Sequence, residues 1–555
     1  MRSTFYGLEI ARKGLHVSQA NLEVTAHNIA NANTKGYSRQ QVIQKAIEPG
    51  TGLGLFTTYG GYAVGGGVDI QQVRQIRDAY LDMQYRKEST ALGEWEVKRD
   101  MLAYIEAIFN EPSESGINTV LNEFFNALQA LSLNPEDPTT RATVQQKALA
   151  LTENIRNVYT KLEELQREAN QAIISHVNDI NSFAREIAVL NEQIFRFEST
   201  GRPANDLRDQ RNLILDNLSK IVQVSVHEDA SGRFRVDIAG QTLVSHTKVY
   251  ELDTIPRSSS VNGMPYPKNN HVDVDELVEV VWKDTGERVN ITGGMLKGFI
   301  DMRDGIGGKE QPLPSVPQEL LEPGTSSSQT GTPPAAGQFQ PAPNQNAEYG
   351  IPYYMRMWNL FAHTLMITFN EIHSQGYTLD GKTGIYFFSD GSANFDPANV
   401  RQPIAKFITI SNEIRNDWNN IAAIYFDEED IASGMDPQNG FDPAEAKGNN
   451  KNILRLLDLR HKTYVPECDN MDNFTKALIS TLGVASRQAA HMADNQQILV
   501  GEMDKRRQSV SGVSLDEEMA NMVRFQHAYN ASARILTAID EMLEILINRM
   551  GVVGR

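Results

Sequence analysis

The chain reads as mainly α with inserted β. It is an elongated, multi-domain protein whose N- and C-terminal helices pair as a coiled coil, with a long-helix bundle body and a small antiparallel β domain. Three observations predict this. Apolar residues recur every seven positions at both ends, the period of a helix–helix seam. Residues 139–198 keep helical patterning throughout, about 90 Å of helix if straight. Residues 222–300 change to period two, the signature of strands.

Residues 1–36 form an N-terminal assembly helix. Leu8, Leu15, Leu22 and Ile29 make one row and Ile10, Val17 and Val24 another, about 160° away, with Ala11, Ser18 and Thr25 between. So wide an apolar arc predicts more than one neighbour. Asn31, Asn33 and Gly36 break the helix, and Gly36 permits a positive φ. Residues 37–221 are the bundle body. A short β segment at 40–76, with glycine-rich turns at 50–54 and 60–67, precedes helices at 78–109 and 117–131. Pro135 and Pro138 punctuate, and Asp137 or Thr139 caps the long helix. In that helix Ile173, Ile180, Ile187 and Ile194 run beside Phe183, Leu190 and Phe197. Gly201-Arg202-Pro203 stops it, and 206–221 is helical again.

Residues 222–300 are an inserted antiparallel β domain, with Val222, Val224, Val226 and then Phe234, Val236, Ile238 on alternate positions and turns at Gly232, Gly240 and Gly263. Residues 305–350 are a Pro/Gly/Ser-rich loop. A helix at 351–375 returns to the body, 376–450 is a mixed α/β outer region, and 451–510 is helical body. Residues 511–555 are the C-terminal assembly helix. One row there is Leu515, Met522, Tyr529, Leu536, Leu543 and Met550; the other is Phe525, Ile539, Leu546 and Val553, interrupted by Glu518 and Ser532. Helical ends bracket a helical body, which brackets β material, so the termini lie side by side.

The net charge of −18 argues against nucleic acid and anionic membrane surfaces as partners. No apolar run is long enough to span a bilayer, which argues against membrane insertion. One cysteine, Cys468, excludes an internal disulfide framework and thiolate metal clusters. Residues 1–35 lack the apolar core and cleavage site of a signal peptide, so the expected location is cytoplasmic or reached by a route without a cleaved signal. Lys505-Arg506-Arg507 reads as a solvated helix face.

Gly376-Tyr-Thr-Leu-Asp-Gly381-Lys382-Thr383 fits the phosphate-loop pattern. That motif needs a strand before it and a helix after it. Here a helix leads in and an apolar strand-like run follows, so a tight turn at Leu379-Asp380-Gly381 is expected. The glycines at 60–67 precede a strand and are no dinucleotide fingerprint. His363 and His373 are too far apart on one helix to share a metal, and His16 and His27 read as polar-face residues. Asp427-Glu428-Glu429-Asp430 reads as a solvated acidic loop, with a weak cation site as the minor alternative. No nucleophile has a local signature around it. The expectation is no enzyme, no cofactor and no metal.

The segment His27-Asn28-Ile29-Ala30-Asn31-Ala32-Asn33-Thr34-Lys35-Gly36-Tyr37-Ser38-Arg39 is more specific. It resembles the signature shared by flagellar rod, hook and hook-associated proteins. The resemblance continues at Gly67-Val68-Asp69-Ile70, Arg74, Arg77-Asp78, Tyr80-Leu81 and Gln84. Asp206-Leu207-Arg208-Asp209-Gln210-Arg211, Phe369-Asn370-Glu371-Ile372-His373 and Phe387-Phe388 are similar to the hook–filament junction branch. So are Ser511-Gly512-Val513-Ser514-Leu515-Asp516-Glu517-Glu518 and Phe525-Gln526. The loop at 305–350 is longer than in relatives, and the outer β insertion after Phe387-Phe388 is shorter.

The resemblance implies a structural, secreted protein at the extracellular hook–filament junction, exported through the type III apparatus and assembled as a ring on the hook tip. It implies as partners other copies of the chain, the hook protein, a second hook-associated junction protein on the filament side, and an export chaperone on the C-terminal helix. The assembly residues are then Leu8, Leu15, Leu22, Asn28, Ile29, Asn31, Asn33, Thr34, Gly36 and Tyr37, with Leu515, Met522, Phe525, Tyr529, Leu536, Ile539, Leu543, Leu546 and Met550. In a lone chain these helices are expected to fray, because an apolar stripe without a cover supplies little to hold a helix. A rod or hook protein is the alternative within the superfamily; the long 139–198 helix favours the junction branch. A hydrolase on an axial scaffold would need a compact His/Asp/Glu cluster. A pore-forming translocator would need a far less charged hairpin.

Overall fold

The computed structural model describes residues 6–47, 65–109, 116–229, 231–257, 260–261, 264–265, 273–306, 348–392, 395–397, 400–435, 437, 441–461 and 471–549. The turns at 50–54 and 60–64, Gly263, nearly all of 305–350, Cys468, Met550 and Val553 lie outside these residues, as does the side chain of Leu546.

The chain opens with α1 (Tyr6–Ala30) and an antiparallel hairpin of β1 (Gln40–Ala46) and β2 (Val68–Gln75), whose register slips between Ile43 and Gln44. Then come α2 (Ala79–Phe109), α3 (Ile117–Leu133), α4 (Pro138–Glu198) and α5 (Asn205–Ile221). The start of α4 is set locally: the Asp137 carboxylate accepts from Thr139 N–H, and Pro138 fills the first turn where no N–H is needed. Period-two sequence gives β3 (Val224–Glu228), β4 (Phe234–Ile238), β5 (Gln241–Ser245) and β6 (Lys248–Val249), one antiparallel sheet in chain order. Next are β7 (Leu252–Pro256), the pair β8 (Ser260–Val261) and β9 (Met264–Pro265), and β10 (Val278–Trp282), which returns onto β7. The period-two reading to residue 300 missed α6 (Met295–Asp304), a helix entered through Gly294 at φ +88°.

The remainder is α7 (Ile351–Gln375), β11 (Phe388–Ser389), α8 (Ile404–Phe407), β12 (Thr409–Ile410), α9 (Asn412–Asn416), α10 (Glu428–Ala432), α11 (Lys451–Asp458), α12 (Met471–Ser511) and α13 (Leu515–Arg549). The acidic run is not the free loop expected. Asp427 and Asp430 form a capping box on α10, and the Lys451 ammonium sits 2.6 Å from both carboxylates.

Two cores share α4. In the first, Val144, Leu151, Ile155, Tyr159 and Leu162 pack with α3, α7, α11 and the start of α12, around Phe124, Trp358, Phe361, Phe369, Phe387 and Phe388. In the second, Ile173, Val177, Ile180, Ala184 and Ile187 pack against Leu215 and Leu218 of α5 and the inner residues of β4, β5, β7 and β10. Phe197, placed on the seam by its spacing, is instead exposed. One α4 turn joins the cores. There Gln166 and Asn170 bond the main chain at Val274 and Val278, and Arg303 of α6 reaches Asn170 and the Val278 carbonyl. Antiparallel to α2 runs α12, which carries the chain back to the hairpin and α13. The two terminal helices thus lie together at one end of the body.

Candidate assembly interface and its joint to the body

On α1 and α13, a small-residue face meets a larger one. A Cβ placed on Gly7 would lie 3.3 Å from Ile539, and one on Gly14 would lie 3.2 Å from the Ser532 hydroxyl. Asn28 reaches Glu518. The helices are therefore antiparallel. On α1 the face in contact is Gly7, Ala11, Gly14, Ser18, Asn21, Thr25 and Asn28, alternating steps of four and three. On α13 it is Glu518, Met522, Phe525, Tyr529, Ser532, Leu536, Ile539 and Leu543, with the same alternation. Glycine, alanine and serine let the helix axes approach, so larger side chains opposite fill the gap.

Glu518 and Ser532, which break the apolar row in sequence, thus sit on the contact face. Leu8, Leu15, Leu22 and Ile29 are half-buried beside the small-residue face, not in it. The opposite flank of α1 meets the hairpin, where Gly67 comes close to the backbone of Ile10. Both terminal helices are formed and paired within the single chain, not frayed as expected, because each covers the other's seam. The pairing leaves much of α13 open: Leu515, Met519, Val523, Ile535, Met542 and Ile545 are exposed.

The asparagine-rich segment ties this pair to the body. Asn28 uses all four of its hydrogen-bonding positions. Its Nδ2 donates to the Gln40 carbonyl (2.9 Å) and Glu518 (3.1 Å), and its Oδ1 accepts from Gln40 N–H (3.0 Å) and the Tyr37 hydroxyl (2.8 Å). Burial, then the nearby carboxylates of Asp206, Asp209 and Glu518, raises the Tyr37 phenol well above its ordinary range, so it stays a donor. Asn31 donates to the His27 carbonyl and accepts from Thr34 Oγ, closing the helix end; Asn33 and Thr34 are exposed. Gly36, at φ +84°, turns the chain against Leu213. Arg39 donates its Nε to Glu518 (2.9 Å) and Nη1 to Glu517 (3.0 Å), and its N–H bonds the Ser511 carbonyl.

Below lies a shared set of arginines and aspartates. Asp209 of α5 accepts from Ser38 N–H (2.9 Å), Ser38 Oγ (2.7 Å) and Arg77 (3.3 Å). Burial raises its pKa; the Ser38 bonds and Arg77 offset that only in part. Arg77 also forks onto Asp82 of α2. Asp216 of α5 accepts from Arg86 (2.8 Å) and from Arg507 of α12 (2.5 Å), whose guanidinium lies 4.0 Å over Tyr85. Arg507 is therefore part of this joint, not of a solvated basic face. Its run of three basic residues hid that, because beside the local Asp504 its partners Asp216 and Tyr85 lie hundreds of residues away. Glu518, Asp82 and Asp216 were likewise invisible as partners.

Other candidate chemistry resolves into structure. Glu94, Asp301 and Glu348 bring carboxylates together as metal ligands could, but the Lys98 ammonium sits among them at 2.7–3.0 Å. Those carboxylates outweigh its burial and keep it protonated. The Gly376–Thr383 motif is a turn: Gly381 has φ +78°, Thr378 N–H bonds the Lys382 carbonyl, and no helix follows. His373 is buried between the Ile385 carbonyl and Ala422 N–H, with His363 in a separate, half-buried position. Among the described residues, no helix is long and apolar enough to cross a membrane.

Comparison with known proteins fits this geometry. Residues 102–388 match the flagellar hook-associated protein FlgK helical domain. Residues 8–37 match the flagella basal body rod protein family, and 506–550 the C-terminal family of the flagellar basal body rod FlgEFG proteins. These last two fall on α1 with its asparagine-rich end and on α13. Flagellar hook-associated protein 1 of Bacillus subtilis is 32% identical over the whole of both chains. That of Salmonella typhimurium is 26% identical, over 97% of this chain and 98% of its own. The solved flagellar hook junction protein FlgK from Burkholderia pseudomallei aligns with a TM-score of 0.56 at 14% identity, covering 77% of this chain and all of that one, a likeness of fold.

Proposed function

Because the chain belongs to the flagellar hook-associated protein 1 family, we propose that it joins hook to filament, assembling as a ring on the hook tip through its terminal helices. It is a structural protein of the extracellular hook–filament junction, not an enzyme, and serves motility. The observation that carries the assembly reading is the open apolar flank of α13. Six large apolar residues from Leu515 to Ile545 remain exposed after α1 has covered the seam. Apolar surface of that extent gains by burial against a neighbour.

In this reading α1 and α13 form an antiparallel coiled coil, with Met522, Phe525, Tyr529, Leu536, Ile539 and Leu543 as its larger side. Leu8, Leu15, Leu22 and Ile29 cover neighbouring copies, together with Leu546 and Met550 beyond them. Asn28, Asn31, Asn33, Thr34, Gly36 and Tyr37 fix the angle at which the pair leaves the body. The hook protein lies on one side of the ring and a second hook-associated junction protein on the other. Before export through the type III apparatus, a chaperone groove takes the apolar stripe of α13.

The test is complementation. A bacterium lacking its own hook-associated protein 1, given this chain, is expected to carry filaments on its hooks, with the chain localised at the junction. Hooks that stay bare although the chain is exported would refute the assignment.

A further inference from the structure

The hairpin of β1 and β2 has two edges, each closed at the end nearest the body; further out on β2 the Asp69 carboxylate also accepts from the Ile70 N–H, at 2.9 Å. The Ile76 N–H to Arg39 carbonyl bond fixes the register, so Gln40, Val42, Gln44 and Ala46 turn their main-chain groups away from β2. At Gln40 both groups are taken by the Asn28 amide, which bonds as a residue on a third strand would. On the opposite edge Asn205 does the same for the Val73 carbonyl, at 3.0 Å. Beyond these two asparagines the edges run on. The outward main-chain groups of Val42 and Gln44 have no partner among the described residues; Val42 is only 5% exposed, behind the helices, so the accessible edge begins at the exposed Gln44.

The open part of the β1 edge forms one wall of a crevice of about 220 Å³, whose other walls include Asn21 and Val24 of α1 and Asn521 and Arg524 of α13. Arg524 lies over the ring of Phe525 and has no carboxylate partner among the described residues. The β2 edge brings the complementary charge: Asp69 is exposed, with Oδ1 accepting from the Ile70 N–H, which leaves Oδ2 for other partners.

We propose that this edge takes a strand from a second copy of the chain: β1 of one copy pairs with β2 of the next, continuing the two-stranded sheet from subunit to subunit. The proposal rests on the assembly reading above. Copies related by rotation about a ring axis all point their hairpins the same way. Because β2 of any copy runs antiparallel to β1 of its own, β2 of the neighbour runs antiparallel to β1 as well. An edge-to-edge contact of unlike strands is head-to-tail, the type that closes a ring. A two-stranded ribbon alone has little stability, and added strands relieve that. Asn28 and Asn205 fix the register by blocking the body-side rungs. Lys45, exposed on β1 across the hairpin from its own Asp69 but making no ion pair with it, is the second charge available to Asp69 of the neighbour.

The test uses full-length chains carrying Cys468→Ser and one new cysteine each, Lys45→Cys in one and Asp69→Cys in the other. Under mild oxidation, a concentrated mixture is expected to give a mixed disulfide dimer, well above what either chain gives alone. Sedimentation reads self-association in parallel, and Gln44→Pro, which removes an outward N–H at an exposed position, is expected to weaken it at least tenfold without altering the circular dichroism of the monomer. Association without the mixed disulfide, or dominated by Lys45→Cys homodimers, overturns the strand pairing and leaves the assembly reading standing. Absence of any self-association also overturns the strand pairing, while the assembly reading is decided separately by the hooks of the complemented bacterium.

Discussion

Arg39 and Glu518, 479 residues apart in sequence, meet at 2.9 Å, with the Glu518 side chain only 3% exposed. The same carboxylate accepts from Asn28, so one buried charge holds the end of α1, the start of the hairpin and the first turn of α13. Glu518→Ala leaves Arg39 and the Asn28 amide without that partner. Removing one member of a buried charged pair costs about 3–5 kcal/mol. Hydrogen exchange is expected to rise sharply in 6–30 and 515–545 while α4 stays protected. Unchanged exchange in the terminal helices would show that the knot does not hold them.

Gly14 faces Ser532 at a distance that admits little more than hydrogen. Gly14→Leu is expected to push the helices apart and cost about 1–3 kcal/mol, the range for overpacking. Gly14→Ala is expected to be nearly neutral. Its gain in helix propensity, about 1 kcal/mol, offsets a contact that the Ser532 hydroxyl can rotate away from. Thermal unfolding of both variants separates crowding from propensity; equal effects would place the glycine outside the contact.

Arg507 bridges Asp216 and Asp504 and covers Tyr85. Arg507→Ala is expected to lower stability by about 2–3 kcal/mol, and Arg507→Lys to restore under half of that, since an ammonium has neither the fork nor the flat face. Urea midpoints at equal slope read the difference. Full recovery by lysine would reduce the residue to a point charge.

His373 makes stability depend on pH. Its Nδ1–H donates to the Ile385 carbonyl, its Nε2 accepts from Ala422 N–H, and burial pushes its pKa down from 6.5 to about 4. The unfolded chain takes up this proton near 6.5, the folded one only near 4. The contribution is therefore complete above 6.5, is lost as pH falls towards 4, and changes no further below. Its size is about 3 kcal/mol. Urea midpoints between pH 7 and 5 should fall more steeply for the parent chain than for His373→Gln; identical slopes would mean the imidazole is already charged when buried.

How much of this was legible in the sequence depended on whether a residue's partner is local. The α4 cap at Asp137, the turn at Gly36 and the paired termini follow from short-range chemistry and nesting. The apolar rows of α13 marked its seam, but Glu518 and Ser532 looked like gaps. One is a charge whose partners sit on α1 and β1; the other is small because a glycine approaches it. On α1 the leucine rows drew attention, although close helix approach selects glycine, alanine and serine. Their low hydrophobicity makes such a face quiet in any pattern of apolar residues. Arg507, within a basic run, had no local sign of burial at all.

The central claim is that the exposed flank of α13, beyond the pairing with α1, is what assembles. Ile535→Glu combined with Met542→Glu changes two side chains that are 54% and 60% exposed. The direct measurement is the fraction of hooks carrying filaments in a complemented bacterium, with export of the variant checked in the medium. The expected result is a variant exported like the parent, with unaltered hydrogen exchange in its terminal helices, and bare hooks. Filaments at the parental frequency would contradict the account, because the apolar flank would then be surplus to assembly.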